Sequence, residues 1–282
     1  KISSWQQAIS QSITDPRELF ELLELDMNDL PQAIAATELF PLRVQHSFVA
    51  RMQKGNLQDP LLMQVLPIGK ECIQTENYSA DPLQEKNVNP LPGLLHKYQG
   101  RVLLTVTGIC GVNCRFCFRR EFAYDENNPG KFGWKKVIEY IASDTSIDEI
   151  IFSGGDPLVA NDPTLAELAH AIEEIPHVKT LRIHSRMPIV LPERITEEFL
   201  QWFTHSRLNP VMVVHCNHPN EINDEVKAAL KKLRQANVIL LNQAVLLKEI
   251  NYSTETLIEL SKKLMEMGVM PYYLHMLDKV QG

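Results

Sequence analysis

Apolar positions fall into two rhythms along this chain, and the change comes near residue 100. From Arg101 onward, short β-branched or apolar runs alternate with segments whose apolar residues recur at helical spacing. RVLLTVT (101–107) is followed by a loop and then GWKKVIEYIAS, and DEIIFSG precedes DPTLAELAHAIEEI. VKTLRIHS precedes TEEFLQWFTH, NPVMVVHC precedes NDEVKAALKKLRQA, VILLNQAV precedes STETLIELSKKLMEM, and VMPYYLHM stands last. The count is six strand-helix units, with the helix missing after the sixth strand. Apolar strands alternating with amphipathic helices predict an all-parallel sheet covered by helices, an α/β architecture. Six strands close only part of a barrel, so the pattern predicts a partial (β/α)6 barrel rather than a flat doubly wound sheet.

Residues 1–95 lack that alternation. TDPRELFELLEL carries a helix start, with Asp15 as cap, Pro16 at the first helical position and Glu18 placed as in a capping box. Leu19, Leu22, Leu23 and Leu25 then favour one helical face. Asp-Pro pairs in LQDPLLMQVLP and SADPLQEKNVNPLPGLLHKY, together with Pro90 and Pro92, predict extended connectors and turns. The expected organisation is a helical and irregular region over 1–95 and a barrel core over 96–282. The chain opens on a lysine and stops at DKVQG directly after a strand-like segment, so trimming from a longer parent is an expectation.

Chemically capable residues gather just after the strands. They are the cysteines after the first, Ser153-Gly154-Gly155-Asp156 after the second, and His184-Ser185-Arg186 after the third. His215, Asn217 and His218 follow the fourth, Asn242 and Gln243 end the fifth, and Asp278 follows the sixth. In parallel barrels and open α/β sheets the carboxyl end is where ligands bind.

Composition narrows the field of partners. A net charge of -7 disfavours a nucleic-acid binder and favours small-molecule or protein partners. No run of eighteen uncharged apolar residues occurs, and KISSWQQAIS lacks the build of a signal peptide, so no membrane partner and a cytoplasmic location are expected. Five cysteines, three of them crowded into eight residues, do not resemble a disulfide framework. Crowded cysteines of this kind bind metal or do redox work.

Cys110, Cys114 and Cys117 have C-x3-C-x2-C spacing within TGICGVNCRFCFRR. Such a loop can wrap three thiolates around one iron-sulfur cluster, which ordinarily takes four, leaving one iron free to bind something else. The alternative is a non-catalytic or electron-transfer cluster closed by a distant ligand, with Cys216, His215 and His218 as candidates.

The cysteine loop, the SGGDP segment and Phe116 just before the last cysteine resemble the radical S-adenosylmethionine (SAM) superfamily. PLPGLLHKYQGRVLL, CRFCFRR, SRMPIVLPERIT, HCNHPNEI, NQAVLL and PYYLHMLD are similar to the lysine 2,3-aminomutase family, over roughly residue 40 to the end. Within it, the chain looks like the short bacterial homologues that supply β-lysine for modifying elongation factor P. The resemblance implies a 4Fe-4S cluster on Cys110, Cys114 and Cys117, with SAM chelated to the unligated iron. One electron from a reductant protein would then release a 5'-deoxyadenosyl radical. That radical abstracts a hydrogen from L-lysine held on pyridoxal phosphate (PLP), and the amino group migrates from C2 to C3.

By the same resemblance, Ser153, Gly154, Gly155 and Asp156 belong to the SAM site. Their chemistry suits it, since glycines let backbone approach a ligand and Ser153 and Asp156 can accept from an ammonium. His215 and Gln243 match positions near SAM, and Tyr98 matches one near PLP. Arg119 matches the position that pairs with the substrate carboxylate, which suits a planar guanidinium. Asp278 matches the one that neutralises the distal ammonium, favouring an amine-ended substrate over an acidic one, though a different amino acid remains an alternative. Three departures stand out. Lys97 replaces a PLP-contacting arginine, Ser253 replaces a zinc-ligating cysteine so that no zinc is expected, and the PLP-bearing lysine is expected beyond Gly282.

Overall fold

The computed structural model describes residues 4–69 and 76–280. Each of the apolar runs forms a strand: β2 (Arg101–Thr107), β3 (Glu149–Gly154), β4 (Thr180–Ser185), β5 (Asn209–His215), β6 (Ile239–Val245) and β7 (Met270–His275). A seventh, β1 (Leu94–Tyr98), precedes them. Strand order follows the chain, β1 to β7; neighbours from β2 onward pair in parallel, whereas β1 runs antiparallel to β2. The sheet is therefore mostly, not wholly, parallel, and it does not close on itself. β1 arises because Gln99 and Gly100 make a two-residue turn, with Gly100 at φ +82°, where a side chain would be strained. It straddles residue 95, where the sequence changes texture.

The helices fall where the periodicity puts them: Gly130–Ser143, Asp162–Glu173, Glu197–Thr204, Asp224–Gln235 and Thr254–Glu266. Asn161, Thr196, Asn223 and Ser253 each cap one of them by accepting from a backbone N–H of the first turn. Pro16–Leu22 starts as expected, Asp15 accepting from Arg17 N at 2.9 Å. Glu18 instead lies 3.8 Å from His46 Nε2.

Strand residues alternate between two apolar clusters. Val102, Leu104, Ile150, Phe152, Leu181, Ile183, Met212, Val214 and Leu240 join the large core beneath the helices, while Val211, Val213 and Leu241 form a separate small cluster. Because strand side chains alternate faces, the second set marks the concave lumen. The same parity puts Arg101, Glu149, Ser153, Arg182, His184, His215 and Gln243 on the lumen side. At its base Arg182 donates to Glu149 Oε2 from Nε (3.1 Å) and Nη2 (2.5 Å), and Arg101 Nε lies 3.4 Å from Glu149 Oε1.

The N-terminal region shares the large core, contributing Trp5, Ile13, Leu19, Phe20, Phe48 and Leu61. One joint is Arg194, fully buried under the Trp5 ring at 4.2 Å. It donates to Asp162 Oδ1 at 2.8 Å and to Leu158 O at 2.7 Å, and Trp202 Nε1 donates to the same Asp162 oxygen at 2.8 Å. Arg194→Met would strand the Asp162 carboxylate in the interior. The expected cost is about 3–5 kcal/mol, read as a lower midpoint in urea unfolding followed by tryptophan fluorescence.

Candidate active site

The cysteine loop leaves the end of β2 and is fastened there by backbone. Gly155 N donates to Thr107 O at 2.7 Å and Asp156 N to Ile109 O at 2.9 Å. Gly154 sits at φ +119°, and a Cβ on it would lie 2.5 Å from Thr107 O; one on Gly155 would lie 2.5 Å from Ile109 O. What these glycines admit at close range is the root of the cysteine loop itself, not only a ligand. Tyr124 Oη donates to Gly154 O at 2.7 Å, so the far end of the loop returns to the same point.

The N-terminal region frames the other side. Asn113 N donates to Arg43 O (3.0 Å), Asn113 Nδ2 to Pro41 O (2.8 Å), Arg115 N to Gln64 O (2.9 Å) and Gln45 Nε2 to Gly111 O (2.7 Å). Cys110, Cys114 and Cys117 are free thiols on this loop, and Cys117 N donates to Cys114 O at 3.1 Å. Burial pushes all three thiols up, Cys117 to about 11; Cys117 and Cys114 raise Cys110 further, and Cys114 raises Cys117. Guanidinium groups oppose this: Arg43 toward Cys110, Arg186 toward Cys114, and Arg119 and Arg120 toward Cys117. Three thiols on one loop, ringed by permanent cations, suit an anionic iron-sulfur cluster.

Two of the three candidate closing ligands are engaged elsewhere. Cys216 is buried in the large core with its Sγ directed to His218 O at 3.6 Å, and His218 Nδ1 accepts from Asn220 N at 3.1 Å. His215 differs, since its Nε2 is buried without a partner among the described residues, as is His184 Nε2. The two rings stand edge to face with centroids 6.1 Å apart. Burial, with Arg186, His275 and Arg119 adding to it, holds His215 down to about 3. Burial, then His215 and Arg182, holds His184 well below its usual range. The lumen thus presents two neutral imidazoles with an unmet nitrogen each, the condition expected where a polar ligand belongs.

Asp156 is taken up by the protein. Its carboxylate accepts from Ser185 Oγ (2.7 Å), Arg186 N (2.7 Å), Leu158 N (3.1 Å) and Met187 N (3.3 Å), tying the end of β3 to the end of β4. Ser153 Oγ accepts from Arg119 Nη1 at 3.1 Å. Arg119 is itself paired, donating from Nε and Nη2 to the two carboxylate oxygens of Glu85 at 2.8 and 2.6 Å. Both partners are 9% exposed at the side chain. Three of its five N–H groups are used, which leaves two.

Glu85 rides on a strap that spans the open side of the sheet. Ser79 N donates to Lys279 O at 3.0 Å just beyond β7, Lys97 Nζ on β1 donates to Leu83 O at 3.1 Å, and Glu85 reaches Arg119. Asp278 is half-buried beside the Ser79 end of this strap. A cleft of about 360 Å³ lies between the strap and residues 118–127, with Glu85 and Arg119 in its wall. Gln243 pairs with His215 on adjacent strands. Tyr98, 62% exposed, pairs with Arg101 at the start of β2, roughly 20 Å along the strand from the cysteine loop at ~3.3 Å per residue. The cysteines, Ser153, Arg119, His215 and Gln243 thus converge, and Tyr98 stands apart.

Sequence reasoning did not name Glu85, and it placed His184 and Arg186 on the polar carboxyl face without assigning either a role. Glu85 lies in a connector with no pattern to betray a partner 34 residues on. The other two carry a weak signal, their place directly after a strand.

Comparison with known proteins agrees with this geometry. A family model described as the radical SAM superfamily matches residues 104–261. The chain is 50% identical over 279 residues to the L-lysine 2,3-aminomutase of Haemophilus influenzae, covering 99% of this chain and 82% of that one. For the Escherichia coli protein of the same name the figures are 50%, 99% and 81%, and for that of Clostridium subterminale 34%, 99% and 67%.

Two expectations follow from the geometry. Gly155→Ala forces the Ile109 backbone to give way, at about 1–3 kcal/mol; urea unfolding and iron content after reconstitution should both fall. His184 and His215 stay neutral in the folded chain but protonate in the unfolded chain below about pH 6.5. The unfolded state then binds more protons, so stability falls as pH drops from about 6.5 toward the depressed folded values. His215→Gln should make that fall shallower by up to one proton in urea titrations across a pH series.

Proposed function

Because the chain belongs to the radical SAM superfamily and, within it, to the L-lysine 2,3-aminomutase family of isomerases, we propose that it converts L-lysine to β-lysine by moving the amino group from C2 to C3. The observation that carries the proposal is the three-thiol loop rooted on Gly154 and Gly155 and opening onto a lumen with unmet polar atoms. Cys110, Cys114 and Cys117 hold a 4Fe-4S cluster. Ser153, Gly154, Gly155, Asp156, His215 and Gln243 border SAM, Asp156 chiefly by fixing the ends of β3 and β4. Together the bound cluster and SAM supply, on one-electron reduction, a 5'-deoxyadenosyl radical.

The chain's residues position the substrate and keep water away. Arg119, oriented by Glu85 and Ser153, offers its two remaining N–H groups to the lysine carboxylate. Asp278 faces the distal ammonium, and the strap from Ser79 to Glu85 ties both ends of that seat together. The neutral imidazoles of His184 and His215 give hydrogen-bonding capacity without adding charge to a lumen already bordered by arginines.

PLP belongs to the same proposal through family resemblance, with Tyr98 beside it. Tyr98 and the cysteines do not by themselves make one site, and no step is assigned to PLP. In the same way, residues 1–95 act as the frame of the cysteine loop and 96–282 as the catalytic barrel. A reductant protein supplies the electron, and the β-lysine serves modification of elongation factor P. No helix among the described residues is long and apolar enough to cross a membrane.

Anaerobic reconstitution with iron and sulfide, followed by dithionite, SAM, PLP and L-lysine, should yield 5'-deoxyadenosine and β-lysine by mass spectrometry. An intact cluster that gives no 5'-deoxyadenosine overturns the mutase. Cleavage of SAM without β-lysine points to a different amino acid.

A further inference from the structure

Arg186 is the one guanidinium that touches a cysteine sulfur in the described residues. It follows β4, and its Nη1 donates to Cys114 Sγ at 2.7 Å. Nη2 donates to Gln64 Oε1 at 2.7 Å and lies 3.4 Å from Glu221 Oε2. The guanidinium carbon sits 5.3 Å from the centroid of Phe116, inside the cysteine loop, and 5.4 Å from that of Phe48 in the N-terminal region. Its backbone N–H is held by Asp156 Oδ2 at 2.7 Å, and the residue is 4% exposed. Two rings, the hydrogen bonds from Nη1 and Nη2 and the backbone anchor hold the side chain against Cys114, while its buried Nε has no hydrogen-bond partner among the described residues.

The charge beside the sulfur is only partly compensated. Glu221 is the carboxylate that meets the guanidinium, yet its Oε1 already accepts from Asn217 N (2.9 Å), His218 N (3.0 Å) and Gln64 Nε2 (3.1 Å), while Asp156, whose charge also reaches Cys110 and Cys114, holds the backbone N–H of Arg186 rather than its guanidinium. Its other oxygen meets Arg186 only at 3.4 Å. A permanent cation is thereby parked, out of water, against one ligand sulfur.

From this arrangement we infer that Arg186 sets the reduction potential of the cluster, acting as a positioning and tuning residue rather than as a ligand. The inference rests on the cluster proposed above. When a one-electron donor reduces the cluster, one negative charge is added to the body held by three thiolates, and no proton or bond changes hands at Arg186. A donor N–H on a ligand sulfur and a nearby positive charge both favour the more negative, reduced form, more strongly in a poorly solvated site. Arg186 therefore moves the potential toward more accessible values. Its link to Asp156 makes the SGGD turn the fixture that holds the cation in register.

The reconstituted chain and the variants Arg186→Met, Arg186→Lys and Glu221→Gln test this. Iron and sulfide content, and a redox titration followed by the paramagnetic signal of the reduced cluster, are measured without substrate. Arg186→Met should shift the potential to more negative values. Arg186→Lys, which keeps the charge without the planar fork, should fall between it and the unmodified chain. Glu221→Gln should shift the potential the opposite way, because its amide oxygen still accepts the backbone N–H groups while the counter-charge is gone. Where Arg186→Met fails to assemble a cluster, the other two variants decide. Full clusters with unmoved potentials overturn this inference alone. An unmodified chain that takes up no cluster overturns the cluster itself, and this inference with it.

Discussion

The close approach of two backbones, Gly154-Gly155 against Thr107 to Ile109, is the constraint on which the site depends. A single methyl group on either glycine would collide with a carbonyl oxygen at 2.5 Å. With that contact in place, three thiols, Tyr124 and Arg119 are all delivered to the carboxyl ends of β2 and β3. The loop is long and irregular, and irregular backbone must find hydrogen bonds outside itself. It finds them on β3, and on Arg43, Gln45 and Gln64 of the N-terminal region.

That dependence explains why the interior around the loop is unusually polar. Asp156, Arg186, Gln64, Glu221, Asn217 and Asn242 are all buried, and each is bonded to another member or to backbone of a different strand end. Buried polar groups are costly unless satisfied, and a fully satisfied set is rigid. Among the described residues the buried side-chain atoms left without a hydrogen-bond partner fall in two places: Glu149, His184 and His215 on the lumen side, and Gln45, Arg120 and Arg186 around the cysteine loop.

Much of this was legible in the sequence. The six parallel strands, their helices and the polar carboxyl end follow from periodicity, because buried strands and amphipathic helices leave different apolar spacings. β1 was not, since a five-residue strand after Pro90 and Pro92 carries no alternation, and only the Gln99-Gly100 pair marks its turn. Among site residues, the three cysteines announce themselves by spacing. Glu85 does not, because a pairing between a connector and a loop leaves no periodic trace. Asp156 was legible as important but not in its detail: a carboxylate beside a glycine pair reads as ligand-binding, whereas four protein donors claim it.

The strap from Ser79 to Glu85 has a consequence for substrate choice. One end is pinned beside Asp278 and the other on Arg119, so the span between the two charged groups is written into a covalent length of seven residues. Under the proposed activity, the enzyme measures its substrate with a ruler of polypeptide. Lineages that lengthen or shorten this connector would change which diamino acid fits without touching either charge.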